Sequence, residues 1–229
     1  MANTPTPFSL GRLAREYPPL PGDMAYSVYF NDFTDPKDYT AADWTITTTE
    51  AGAGSATEAI GNLDGGVLVV TNDAADDDAD FFNLTKETFK FEAGKRMLFA
   101  MRFKISDATQ SDFVCGLQIT DTTPLAVSDG VYFRKDDGDA LLDFVVVKDS
   151  AATTDTAIGT LVADTWTVLA FEYDGYGAIY PWVNGVRGQA VAVTNLPDDE
   201  EMCVTFGIQN GEAVAKILSI DYIYAAKER

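Results

Sequence analysis

Histidine is missing altogether from this sequence of 229 residues. That absence removes Ser-His-Asp and Cys-His nucleophilic pairs, imidazole acid–base steps and the usual zinc sites together. Cysteine is nearly as scarce. Its two residues, Cys115 and Cys203, have no CxxC spacing and make neither a redox motif nor a disulfide framework. Basic residues are also few, 16 Lys plus Arg against 36 Asp plus Glu, giving a formal net charge of −20. A surface of that sign repels the phosphate backbone, so no nucleic-acid partner is expected. No run approaches the roughly 20 apolar residues of a membrane-spanning helix, so no membrane partner is expected either. The opening Met1-Ala-Asn-Thr-Pro-Thr-Pro-Phe8 has neither a basic start nor an apolar run, the pattern of a chain without a secretory signal.

What is present is an ordinary globular composition, with 46% hydrophobic and 23% charged residues. From Ala25 onward the apolar residues recur with period two. Met97, Phe99, Met101, Phe103 and Ile105 alternate with Leu98, Ala100, Arg102 and Lys104, which predicts a strand with one face in a core. Similar runs predict strands over residues 25–30, 44–49, 67–71, 113–120, 131–134, 141–148, 166–173, 178–183, 186–193, 202–209 and 215–224. Turn residues separate them, among them Asp64-Gly-Gly66, Asp137-Gly138 and Asp174-Gly175. Asn184-Gly185 supplies the two positive φ angles of a type I′ hairpin. Pro181 cannot donate to a ladder and requires an edge or bulge position. A dozen strands at this spacing predict a double-sheet jelly roll, an all-β sandwich over 25–229. Alternation places Cys115 on the apolar side of its strand and Cys203 opposite Met202, Val204 and Phe206, two free thiols suited to a reducing cytoplasm.

Residues 1–24 read differently. Pro18, Pro19 and Pro21 favour an extended course; no helical pattern in the sequence exceeds two turns, and the best candidate is a short one near Leu10–Glu16. The segment carries apolar and basic anchors at Phe8, Leu10, Arg12, Leu13, Arg15 and Tyr17. Such an arm is suited to ordering against a partner, and a fold-back onto its own domain is the competing reading.

Asp164-Thr-Trp-Thr-Val-Leu-Ala-Phe-Glu-Tyr-Asp-Gly175, followed by Ile179-Tyr-Pro-Trp-Val-Asn-Gly-Val186, resembles the laminin-G and concanavalin A-like lectin/glucanase superfamily. Ile217-Leu-Ser-Ile-Asp-Tyr-Ile-Tyr224 resembles its closing strand. Phe30-Asn-Asp-Phe33, Asp43–Glu50, Ser111–Thr120 and Asp129-Gly-Val-Tyr-Phe133 are similar to segments of tailed-bacteriophage virion proteins built on that fold. The resemblance implies a concanavalin A-like jelly roll that decorates or cements a capsid and is made in the host cytoplasm. Its partners would be the major capsid protein and further copies of itself, as a trimer. Fold likeness alone does not establish that role.

Catalytic, metal and cofactor residues are not expected, and the sequence reads as that of a non-enzyme. The glucanase branch of the resembled superfamily carries Glu-x-Asp-x-x-Glu on one strand, a run this sequence lacks; Asp143 and Asp221 are lone carboxylates on their strands. Asp73-Ala-Ala-Asp-Asp-Asp-Ala-Asp80 lacks the glycine and terminal glutamate of an EF-hand loop. It reads as a solvated loop, with calcium or a neighbouring subunit's basic arm as competing partners. Tyr176, Tyr180 and Trp182 could stack on sugar rings, which makes surface glycans an alternative partner for a lectin-like module; core packing competes for the same residues.

Overall fold

The computed structural model describes residues 25–35, 39–40 and 42–229. The arm therefore lies outside the described residues, together with the short helical pattern expected within it. Strands are numbered in chain order, and every pairing between them is antiparallel.

Sheet A runs β13 (Val186–Arg187), β12 (Ala178–Val183), β11 (Thr167–Tyr173), β6 (Met97–Ile105), β16 (Ile217–Glu228), β4 (Val67–Thr71) and β3 (Thr57–Gly61). To it are added β1 (Tyr26–Asn31), on β16, and β14 (Val191–Ala192), on β12. Sheet B runs β10 (Ala151–Thr160), β9 (Leu141–Lys148), β8 (Gly130–Lys135), β7 (Ser111–Gln118), β15 (Cys203–Asn210), β5 (Ala79–Leu84) and β2 (Trp44–Thr49). The only helical element among the described residues is one 3-10 turn, Pro124–Ala126. This is the two-sheet jelly roll that the period-two patterning predicts.

The inward residues of the two sheets make one core. Phe103 of β6 stacks on Phe113 of β7 at 4.3 Å between ring centroids, and Phe82 stacks on Phe206 at 4.7 Å within sheet B. Cys115 lies in that core and Cys203 faces the other way, near the hydroxyls of Thr120 and Thr205; both thiols are free and buried. Burial raises the pKa of each. Asn184 and Gly185 take φ of 49° and 79° and close the β12–β13 hairpin with Val183 opposite Val186, as a type I′ turn requires. Pro181 sits between the short partners β13 and β14, where no ladder donor is needed from it. Its carbonyl still accepts from the Gly188 amide at 2.7 Å.

Three strands depart from the expected pattern. The β5 strand is buried on both faces and so shows no alternation; β3 and β10 are edge strands dominated by small and polar residues. The run over 186–193 is not one strand but the two fragments β13 and β14.

Candidate functional site

The β11–β12 hairpin carries the three aromatic residues singled out for glycan stacking. Asp174 builds its turn, its carboxylate accepting from the amides of Tyr176, Gly177 and Ala178 at 2.8–3.2 Å. Burial pushes that carboxyl upward, but the three amides outweigh it and hold its pKa below the ordinary value. Tyr176 at the tip is 86% exposed. Tyr180 is half-buried under the Arg187 guanidinium, 3.5 Å from its ring centroid. Trp182 is only 5% exposed, and its indole N–H has no acceptor. The hairpin brings the three close in sequence, but it leaves one exposed, one capped and one buried, not a single open platform.

Trp182 belongs to the outer face of sheet A. Alternation turns Leu98 and Ala100 of β6, Ala170 of β11, Trp182 of β12, and Tyr224 and Ala226 of β16 away from the inter-sheet core, where they form a second apolar cluster. Tyr26, Val28 and Phe30 of β1 border it. Farther along the same face Arg102 pairs with Asp221 at a register shift in β16 and lies 4.5 Å from the Trp166 ring. Asp221 is thus a paired residue of the sheet. At the β1 corner a polar cleft of about 420 Å³ is lined by Tyr26, Arg96, Glu172, Asp174, Tyr176 and Glu228. Arg96 donates to Glu172 there, and the Arg96 amide donates to Glu228 at 3.1 Å.

The outer face of sheet B is also filled. Phe81, Val114, Tyr132, Val145 and Val147 cluster there with Val127, from the loop after the 3-10 turn. Gly207 faces Phe81 and Gly116 faces Tyr132; a Cβ at Gly207 would meet the Phe81 ring and the Asp80 carbonyl, and one at Gly116 the Tyr132 Cα and Cβ and the Val131 carbonyl. The lone Asp143 accepts the Ala157 amide at 2.9 Å.

The acidic stretch 73–80 is not a freely solvated loop. Asp78 and Asp80 are buried, whereas Asp76 and Asp77 are exposed. Asp73 accepts the Gly54 amide at 3.0 Å, Asp78 accepts the Ala51 amide, and Asp80 accepts the Thr48 hydroxyl at 2.6 Å. Asp73 and Asp78 thereby pin the 50–56 loop to the segment between β4 and β5. Burial, against the Thr48 hydrogen bond and with the Glu58, Glu50 and Asp78 charges, pushes the Asp80 pKa up to about 6. Among the described residues no group of three or more Cys, Asp or Glu is arranged to hold a metal ion.

No family model and no curated protein matches the sequence. Solved structures do match in fold. An endo-1,3-β-glucanase from Streptomyces sioyaensis aligns with TM-score 0.64 and 14% identity, over 92% of this chain and 98% of that one. Peanut lectin aligns with TM-score 0.57 and 13% identity, over 88% and 97%. A carbohydrate esterase from the Shiga toxin-encoding bacteriophage phi24B aligns with TM-score 0.53 and 15% identity, over 89% and 100%. The concanavalin A-like jelly roll of lectins and glucanases is therefore the fold of this chain. The same neighbours correct the expectation of a non-enzyme. Glucanases and an esterase are enzymes, and the fold that this chain shares with them is not one confined to binding proteins. At these identities the likeness carries the fold alone.

Proposed function

We propose that the chain is a structural protein of a tailed-bacteriophage particle, held on the capsid surface as a decoration or cement component. The observation that carries this reading is the closure of its surfaces. Both outer sheet faces are packed with apolar side chains, and the hairpin aromatics do not form one open platform. A body closed in this way suits a protein whose work is contact with other subunits. The likeness of four segments to virion proteins supports the same reading, and so does the use of this fold by a phage-encoded protein. Its partners are then the major capsid protein and further copies of itself, as a trimer on a three-fold site, since symmetric assembly is the common state of such components. The net charge of −20 keeps the subunits dispersed until they dock.

One observation favours a second reading, a saccharide-binding module. Tyr176 is exposed beside the corner cleft, where Arg96, Glu172 and Glu228 present donors and acceptors. Both readings are tested in one experiment. Purified protein is sedimented with empty capsids of the phage that encodes it and is applied in parallel to a glycan array. Saturable capsid binding with a silent array is expected. Array binding without capsid binding would overturn the decoration reading.

A further inference from the structure

The strand β10 forms one edge of sheet B. It pairs with β9 on one side, and among the described residues no backbone group bonds to it on the other. Edge strands are ordinarily blunted by lysine, proline, short length or a bulge. Residues 151–155, Ala-Ala-Thr-Thr-Asp, hold neither lysine nor proline. The bulge comes only after them. The register shifts between Asp155 and Gly159, where the Asp143 carboxylate accepts the Ala157 amide and Ala157 takes a φ of 56°. Before them Asp149 and Ser150, with φ of 51° and 65°, make a two-residue turn that sets Lys148 opposite Ala151. Turn and bulge therefore bound a regular window, 151–155, with Thr153 at its centre.

A two-residue turn of this kind closes on a hydrogen-bonded pair, so Ala151, Thr153 and Asp155 exchange their backbone bonds with β9. Ala152 and Thr154 turn their N–H and C=O outward, and their side chains are exposed. The Thr153 hydroxyl accepts from the Asn195 amide at 3.0 Å, which ties the strand to the segment after β14. A second copy of the window, laid antiparallel about a two-fold axis at Thr153, brings Ala152 opposite Thr154 of the partner subunit, and the reverse. Outward groups then meet outward groups, and each pair can exchange both of its bonds. A shift of one residue would set them against groups already bonded to β9.

Charge favours the same approach. Residues 151–160 and the neighbouring 184–194 hold one acid and one base, Asp155 and Arg187, which cancel within a chain of net charge −20. The two stretches are neighbours because a Cβ at Gly159 would touch Val183, and Val183 pairs with Val186, an apolar residue 72% exposed. In the centred register Asp155 falls opposite Ala151 of the partner subunit, so no two carboxylates face each other. Two acidic bodies can meet here with little repulsion.

We propose that two copies of this chain associate edge to edge through residues 151–155, on a two-fold axis at Thr153, joining their B sheets into one antiparallel sheet. The contact uses the same patch on both copies. It is smaller than a standard interface and is reversible, with a dissociation constant of roughly 1–100 µM. It goes beyond the capsid reading and does not rest on it, since a two-fold contact is separate from any three-fold one.

Sedimentation equilibrium of the full chain, from about 0.5 µM to about 500 µM, spans that range. The average mass should rise toward twice its value at low concentration. The Ala152→Lys/Thr154→Lys variant sets lysine against lysine at exposed positions, and it should abolish the rise while keeping its β-sheet circular dichroism. Thr153→Cys is the independent measurement. Directly opposed residues of a non-hydrogen-bonded pair stand about 4.5 Å apart at Cα, within disulfide reach, and the native Cys115 and Cys203 are buried. Mild oxidation should link Thr153→Cys into a covalent dimer and leave Thr160→Cys, beyond the bulge, unlinked. A parent whose mass does not rise would overturn the proposal and leave the edge to a strand of another protein. A rise that survives the lysine variant, or linkage of Thr160→Cys as readily as Thr153→Cys, would overturn the assignment to residues 151–155.

Discussion

Asp80 shows how a single residue departs from what its neighbours in the sequence imply. It closes a run dominated by aspartate, and such a run is ordinarily solvated. In the fold its carboxylate is buried, one oxygen bonded to Thr48 and the other unpartnered. With the pKa raised to about 6 from 3.8, the native state binds the proton more readily than the unfolded chain. Stability therefore falls as pH rises between about 4 and 6, and the full penalty persists above that window. The Asp80→Asn variant keeps an acceptor for Thr48 and removes the titration. Its stability relative to the parent should improve on going from pH 4 to pH 7, by roughly 2–3 kcal/mol at most. Urea unfolding at the two pH values measures this, and an unchanged difference would refute the burial argument. The sequence reveals the density of charge in this stretch but not the donors. The amides of Ala51 and Gly54, which bind Asp78 and Asp73, come from a loop some twenty to thirty residues earlier.

At the scale of strands, alternation was legible wherever a strand has one apolar side and one mixed side, as in β6 and β16. It failed in two opposite ways. The β5 strand carries Phe81 and Phe82 into different clusters, so both its faces are apolar. Along β10, Ala, Thr, Asp and Gly follow one another at the outer edge of sheet B, where little core is available to select side chains. The close fit on the outer face of sheet B is likewise a matter of packing and not of pattern. Gly207 in β15 lies against the Phe81 ring and the Asp80 carbonyl, and an added methyl would fall within van der Waals contact of both. Gly207→Ala should cost roughly 1–3 kcal/mol, as overpacking of a filled site does. A lowered denaturant midpoint with an unchanged slope would bear this out. A midpoint equal to the parent's would mean that the Phe81 ring and the backbone at Asp80 and Phe81 give way freely.

For the whole molecule, the sandwich and its likeness in fold to lectins and glucanases were visible in the hairpin 164–186 and the closing strand, because those segments carry the turn and core residues that the fold requires. The state of the outer faces was not. Period two tells which side chains point outward, but whether Trp182 meets water, sugar or protein depends on what lies above the sheet. Tyr176, Tyr180 and Trp182 are separated for the same reason, since exposure is set by Arg187 and by the sheet-A cluster and not by spacing along the hairpin. The most direct measurement of the proposed capsid role is an electron cryo-microscopy reconstruction of native particles of the phage that, under that proposal, encodes the chain. The account predicts a two-sheet sandwich outside the shell at every three-fold or quasi-three-fold site. A shell bare of that density, with the chain found only in the tail or free in the lysate, would contradict it.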